Sequence, residues 1–496
     1  MTVTASPAAP APPRPPAGRT RAVPALMSAC VVLCVALVAA VNLAVPQLAG
    51  SSLKPSSGEL LWIVDAYVIV FACLLIPAGA LGDRLGRKGA LITGLAVFAA
   101  GCALSALAPG TTVLIAARAV TGVGAALIMP ATLSLTLQAA APERRAHAIA
   151  LWTAASGAAG ALGNIGGGLA MEYLSWRGLF WSVVPLTLAL LALTAWLAPR
   201  GERHPAHADP VGTALFVLAF MALLYGVIEG PGRGWGSPAV LGAFGAAALL
   251  LAAFTVHALR AAQPLFDPRV FAVRRLRAGV LGLMVTFFGL FALFFVNAQY
   301  LQYAKGYSPV VTGLAVGPLA LGMLVVARRG VGLVARYGTR RMVGIGLVVL
   351  AVGLALLSLA DADTPYVLYA GVLLVMALGM GLSMPALSGA IVGALPHARA
   401  GLGSGLNGAA REIGSALGVA VMGTVLAGRF DASLPPGVPD GSAGQALAAA
   451  REFGPQARAE VIGAFTDAMG AGFRVVAGVV GVLALLVLFW FGEDDG

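Results

Sequence analysis

Four charged residues stand deep inside long apolar runs: Asp65, Arg118, Arg411 and Glu412. An ionisable side chain in hydrocarbon is costly unless it faces a polar cavity or another charge, so each is a candidate for chemistry. The chemistry open to them is proton exchange, in which a carboxyl takes up and releases a proton and a nearby guanidinium favours the carboxylate form. Asp65 lies about six residues into its run, roughly 9 Å below the interface at 1.5 Å per residue. Arg118 in the fourth run and Asn42 in the first share that depth. The shared depth predicts that Asp65 and Arg118 meet and that protonating Asp65 releases Arg118; a permanent ion pair is the alternative reading. Arg411 stands near the middle of a later run, with Asn407 and Ser415 at four-residue spacing on either side, which predicts one polar helix face. Glu412, pointing about 100° away, is a further proton-coupling candidate. Gln299 and Gln302 are candidates to line one polar cavity together with Asn42, Asn407 and Arg411; solvation at the outer end of their run would also explain the glutamines, and an Arg–Glu arrangement that pins the later helix to its neighbours is the alternative for Arg411 and Glu412.

The elements that must hold these groups are spanning helices. Of 496 residues, 59% are hydrophobic and only 10% charged, which defines an all-α integral membrane protein. Fourteen runs reach the roughly 20 apolar residues that a span requires, the first at 25–47 and the last at 471–491. An even number puts both termini on one side. With a cytoplasmic N-terminus, 21 of the 31 Lys and Arg residues fall inside and eight outside, so the positive-inside rule predicts cytoplasmic termini. Topology thus accounts for the net charge of +11 and leaves no case for nucleic acid. Residues 1–22, rich in Pro and Ala, are expected to form a disordered cytoplasmic tail. Residues 430–470 are expected outside, as an exposed helix preceded by Pro and Gly turn signals. The four cysteines lie in apolar runs as small hydrophobes, and His204 and His207 share a polar loop with no other ligand, so no metal site is expected.

The turn after the second run reads Gly79-Ala80-Leu81-Gly82-Asp83-Arg84-Leu85-Gly86-Arg87-Lys88. Glycines permit the tight turn and basic residues keep it in water, but topology does not require the acid. Gly79, Asp83, Arg84, Gly86, Arg87 and Lys88 therefore form a candidate conformational latch, with Asp83 making charge and helix-end contacts in one state only. Leu333-Val334-Ala335-Arg336-Tyr337-Gly338-Thr339-Arg340 is a degraded second copy at an offset of 252. Runs 9–14 then repeat runs 1–6, with runs 7 and 8 inserted, a 6 + 2 + 6 order. The units expected are a six-helix half at 23–200, a two-helix insertion at 201–260 and a second six-helix half at 261–496. In the fifth run Ser156, Gly160, Asn164 and Gly168 recur every four residues, with Gly163 and Gly167 beside them. Such a stripe of small residues admits another helix closely, as ordinary packing or as a gating seam.

The turn at 79–88 closely resembles the loop between the second and third helices of major facilitator superfamily transporters. Leu61-Trp62-Ile63-Val64-Asp65-Ala66-Tyr67, Arg118 to Gly124, Leu174-Ser175-Trp176-Arg177, Gly306-Tyr307-Ser308-Pro309 and Arg411 to Gly418 resemble stretches of its fourteen-span drug:proton antiporters. Quaternary-ammonium and antibiotic exporters are nearest in pattern. The resemblance implies a major facilitator fold of 14 transmembrane helices that exports lipophilic small molecules across a bacterial cell membrane in exchange for protons. It implies no cofactor beyond the proton gradient, with substrate, protons and bilayer as partners and a monomer as the working unit. Relatives usually carry an aspartate where this chain has Leu37, a glutamine at Thr121 and a proline in the stripe that here reads Gly163-Asn164-Ile165-Gly166-Gly167. An altered coupling arrangement is expected, with Asp65 the only aspartate deep in the first half.

Proton-coupled uptake uses the same fold and is disfavoured by the antiporter-like motifs. An enzyme would need a catalytic constellation, and an ATP-driven pump a glycine loop with its lysine; the sequence holds neither. A receptor would want a cytoplasmic output domain, for which the inward loops are too short.

Overall fold

In hydrocarbon every backbone N–H and C=O must be satisfied within its own segment, and the apolar runs of this chain do so as α-helices. The computed structural model describes residues 17–140, 145–199, 209–262, 264–395, 400–435 and 442–491; certain side chains within helices, those of Asp83 and Arg84 among them, fall outside that set, as do His204 and His207. A first bundle consists of α1 (Ala17–Ala49), α2 (Ser57–Leu85), α3 (Arg87–Leu107), α4 (Thr111–Ala139), α5 (Arg145–Tyr173) and α6 (Trp176–Leu197). A hairpin of α7 (Pro210–Arg233) and α8 (Pro238–Arg260) follows. The second bundle holds α9 (Arg274–Gln299), α10 (Pro309–Ala315), α11 (Gly317–Tyr337), α12 (Thr339–Leu357), α13 (Tyr366–Gly393), α14 (Ala400–Asp431), α15 (Ala443–Phe453) and α16 (Pro455–Trp490). Among the described residues, 12 helices are long and apolar enough to cross a membrane. The other two long helices of the fourteen counted in the sequence, α5 and α11, contain side chains outside the described residues.

Three boundaries depart from expectation. The Pro-rich stretch ends at Pro16 and helix formers follow, so α1 begins at Ala17 rather than after a tail reaching residue 22. The tenth run is broken into α10 and α11 because Pro318 has no N–H to continue the ladder. The segment 430–470 is not one exposed helix. Ser442 and Gln445 form a capping box that starts α15, whose Ala443, Ala446, Leu447 and Ala450 are buried, and α16 runs from Pro455 straight into the last span.

The repeat is visible in the backbone. Gly86 between α2 and α3 has φ 94°, and Gly338 between α11 and α12 has φ 82°; both stand at the offset of 252. Each donates its N–H four residues back, Gly86 to Gly82 and Gly338 to Val334. Only glycine adopts this φ without strain, so both positions join two helices without a loop.

The bundles meet along two seams. On α2 and α14, Leu61 fills the space at Gly423 and Leu75 the space at Gly408. On α5 and α10, Gly168 lies against Pro309 and Gly313 against the Asn164 backbone. Leu61 and Gly313 are equivalent in the repeat, so the two seams are related by it. The α7–α8 hairpin packs on α2 and α14, outside the first seam. Asp209 fastens it to the chain that follows: its carboxylate caps α7 at the Gly212 N–H, pairs with His257 and accepts the Leu265 N–H.

Candidate functional site

Between the bundles lies a cavity of about 80 Å³, walled by α1, α2 and α5 from one side and α9, α11, α13 and α14 from the other. Its aromatic wall follows from helix periodicity. Phe287, Phe291 and Phe294 fall on one face of α9, with ring centroids 6.2 Å and then 5.6 Å apart. Tyr67 and Phe71, one turn apart on α2, face them from the first bundle, and Met323 and Met384 fill the gaps. Two ionisable groups, Arg411 and Glu412, reach the cavity from α14. The Arg411 guanidinium lies over the Phe287 ring at 4.6 Å, and its Nε is buried without a hydrogen-bond partner. Tyr67 donates its hydroxyl to the Cys34 carbonyl of α1, and Ser156 donates to the Trp152 carbonyl of α5. Those two hydroxyls have thus committed their protons, and the carboxyl and the guanidinium are the charged groups among the residues lining the cavity.

Arg118 is fully buried behind Tyr67. Its Nε donates to the Ile63 carbonyl at 3.1 Å, its guanidinium lies 4.8 Å from the Tyr67 ring and 5.9 Å from that of Phe180, and its terminal nitrogens have no partner. Asp65 is equally buried, and neither of its oxygens is hydrogen-bonded. The expected Asp65–Arg118 contact is therefore not formed. The reason is angular: Asp65 is two residues from both Ile63 and Tyr67, about 200° around α2 from the face that meets Arg118. It shares its face with Leu61, which packs on α14, and with Trp62, which donates to Glu229 of α7.

The other candidates are dispersed. Asn42 donates to the Val38 carbonyl and Gln299 to the Phe295 carbonyl, both within their own helices. Gln302 is half-buried with Nε2 unpartnered, and Asn407 is half-buried; none of these four lines the cavity. Ser156 and Gly160 do line it. Farther along α5, a methyl on Gly163 would run into the Ala36 carbonyl oxygen and one on Gly167 would come within 2.7 Å of the Ala40 Cα, so the stripe brings α1 and α5 together. Asn164 donates to the Gly160 carbonyl, and Gly168 faces α10. At the turn, Gly79 touches Pro130, Gly82 faces the Arg87 side chain, and Lys88 donates to the Ala195 and Ala198 carbonyls at the end of α6. The aromatic wall was missed in the sequence, although Phe287, Phe291 and Phe294 at spacings of four and three were its signal.

Two helical bundles enclosing a cavity between them form an arrangement that suits a transporter. The sequence profile of the Major Facilitator Superfamily matches residues 27–419. The chain belongs to that superfamily, and is a transport protein rather than an enzyme. It is 32% identical to the multidrug efflux pump LfrA of Mycolicibacterium smegmatis over 88% of each chain. It is 33% identical to the tetracenomycin C resistance and export protein of Streptomyces glaucescens, over 91% of this chain and 88% of that one. A solved bacterial homologue of the human lysosomal transporter Spinster shares the fold, with a TM-score of 0.70 and 16% identity over 97% of this chain and 99% of that one.

Proposed function

We propose that the protein exports lipophilic small molecules, whether drugs, antibiotics or natural products, in exchange for protons, by alternating access of two six-helix halves. The observation that carries this reading is the cavity itself: aromatic and sulfur-bearing walls from both bundles around one carboxyl and one guanidinium. Relatives named as a multidrug efflux pump and as a resistance and export protein support the direction of transport. In this reading all fourteen long helices span the membrane in a 6 + 2 + 6 order, with domains at 23–200, 201–260 and 261–496 and both termini cytoplasmic. The proton gradient supplies the energy, with no cofactor, and a monomer suffices. Glu412 is the coupling acid that substrate meets, while Asp65, buried on another face of α2, is a second proton site outside the cavity. The turn at 79–88 acts as the latch between states.

Everted membrane vesicles test the proposal. Imposing an acid interior should drive uptake of at least one member of a panel of neutral, cationic and anionic dyes, and a protonophore should abolish it. Uptake that needs ATP, or that persists with the gradient collapsed, would overturn it.

A further inference from the structure

Resting on the exporter reading, we propose that the cavity selects molecules of no net charge, namely flat aromatic compounds with a hydrogen-bond donor beside an acceptor oxygen, and excludes permanent cations. Arg411 sets this selectivity. It stands next to Glu412 in sequence, yet among the described residues its guanidinium donates no hydrogen bond; it rests on Phe287, and its buried Nε is unpartnered. A guanidinium in so apolar a wall needs an acceptor, and among the described residues neither the Tyr67 nor the Ser156 hydroxyl, each donating to a backbone carbonyl, accepts from it.

Charge arithmetic narrows the ligand further. With Glu412 ionised the two groups sum to zero; with Glu412 protonated the cavity carries the single positive charge of Arg411. A cation then meets no net attraction in the first state and repulsion in the second, and such repulsion is strong where water is scarce. An anion is held best when Glu412 is protonated, so it would travel with the proton instead of against it. A neutral molecule that donates to Glu412 and accepts from Arg411 binds the ionised pair, and its charge-assisted bond to the carboxylate is lost when the proton arrives. Of the three charge classes, this one alone both gains favourable contacts with the ionised pair and is loosened by the proton. The rings of Phe71, Phe291 and Phe294 among the lining residues suit a flat partner.

The test uses everted vesicles holding the full-length protein, with three probes: quinizarin, a neutral hydroxyquinone; tetraphenylphosphonium; and naphthoate. Under an acid interior, the wild-type protein should accumulate quinizarin and neither ion. Arg411→Gln should raise tetraphenylphosphonium transport about tenfold by removing the repelling charge, while Arg411→Lys keeps the ion excluded. Wild-type transport of tetraphenylphosphonium as fast as quinizarin, or an unchanged rate in an inserted Arg411→Gln protein, would overturn the inference. The wild-type comparison depends on no variant folding. If none of the three probes moves under the gradient while other dyes of the panel do, the inference fails and the exporter reading stands; if no dye moves, the exporter reading fails.

Discussion

Tyr67 connects three things at once: its hydroxyl reaches the Cys34 carbonyl, its ring carries the Arg118 guanidinium, and it lines the cavity. Tyr67→Phe removes only the hydrogen bond, so a loss of about 1 kcal/mol is expected, with Arg118 still seated. Tyr67→Ala also removes the aromatic face from beneath a buried cation, and a loss of about 3–5 kcal/mol is expected. Thermal unfolding of the purified variants in detergent distinguishes the two. The common level of Asp65 and Arg118 was legible in the sequence, because level follows from counting residues along an apolar run. Azimuth was not. Asp65 and Arg118 share a level, but a step of two residues on α2 turns the carboxyl toward α14 and α7. Glu412 reaches the cavity because α14 presents it there, which no residue count along one run contains.

Helix contacts depend on where a Cβ can fit. Gly163 of α5 has the Ala36 backbone directly against it, whereas Gly166 faces open space. Gly163→Leu should separate α1 from α5, lower the unfolding midpoint by the equivalent of about 1–3 kcal/mol and stop transport, while Gly166→Ala should do neither. The α7–α8 hairpin depends on Asp209. Burial alone would raise its carboxyl, but the Gly212 N–H, His257 and the Leu265 N–H more than offset this and hold it below the usual carboxylate range. The ionised form is thus the one the fold stabilises, a contribution present above the unfolded-state value of about 3.9 and lost as pH falls through the lower folded value. Asp209→Ala should cost about 0.5–2 kcal/mol at neutral pH, and its gap from wild type should close in acid. The existence of the long helices was legible from apolar runs. Where they stop was less so: Pro318 breaks one run in two, and the capped α15 tucks its alanines against neighbours that a single sequence window does not display.

Across the whole molecule, α15 spans both bundles at one end. Gln445 donates to the Pro55 carbonyl after α1, and Gly444 sits against Ala49 and the Tyr303 hydroxyl. A disulfide between Pro55→Cys and Gln445→Cys should halt transport by holding that end closed, with reduction restoring it; full transport by the cross-linked protein would show that this end need not part. The repeat was legible because the glycine turn has a backbone requirement that survives sequence decay, at Gly86 and again at Gly338. The cavity was not, because residues hundreds of positions apart assemble it and most of them are ordinary apolar side chains. The central claim is that proton and substrate compete at Glu412. Its most direct test is proton release from purified protein in weakly buffered detergent when a transported dye is added. Wild type and Asp65→Asn should release protons on binding, while Glu412→Gln should bind the dye and release none; equal release from Glu412→Gln, or binding by wild type without release, would contradict it.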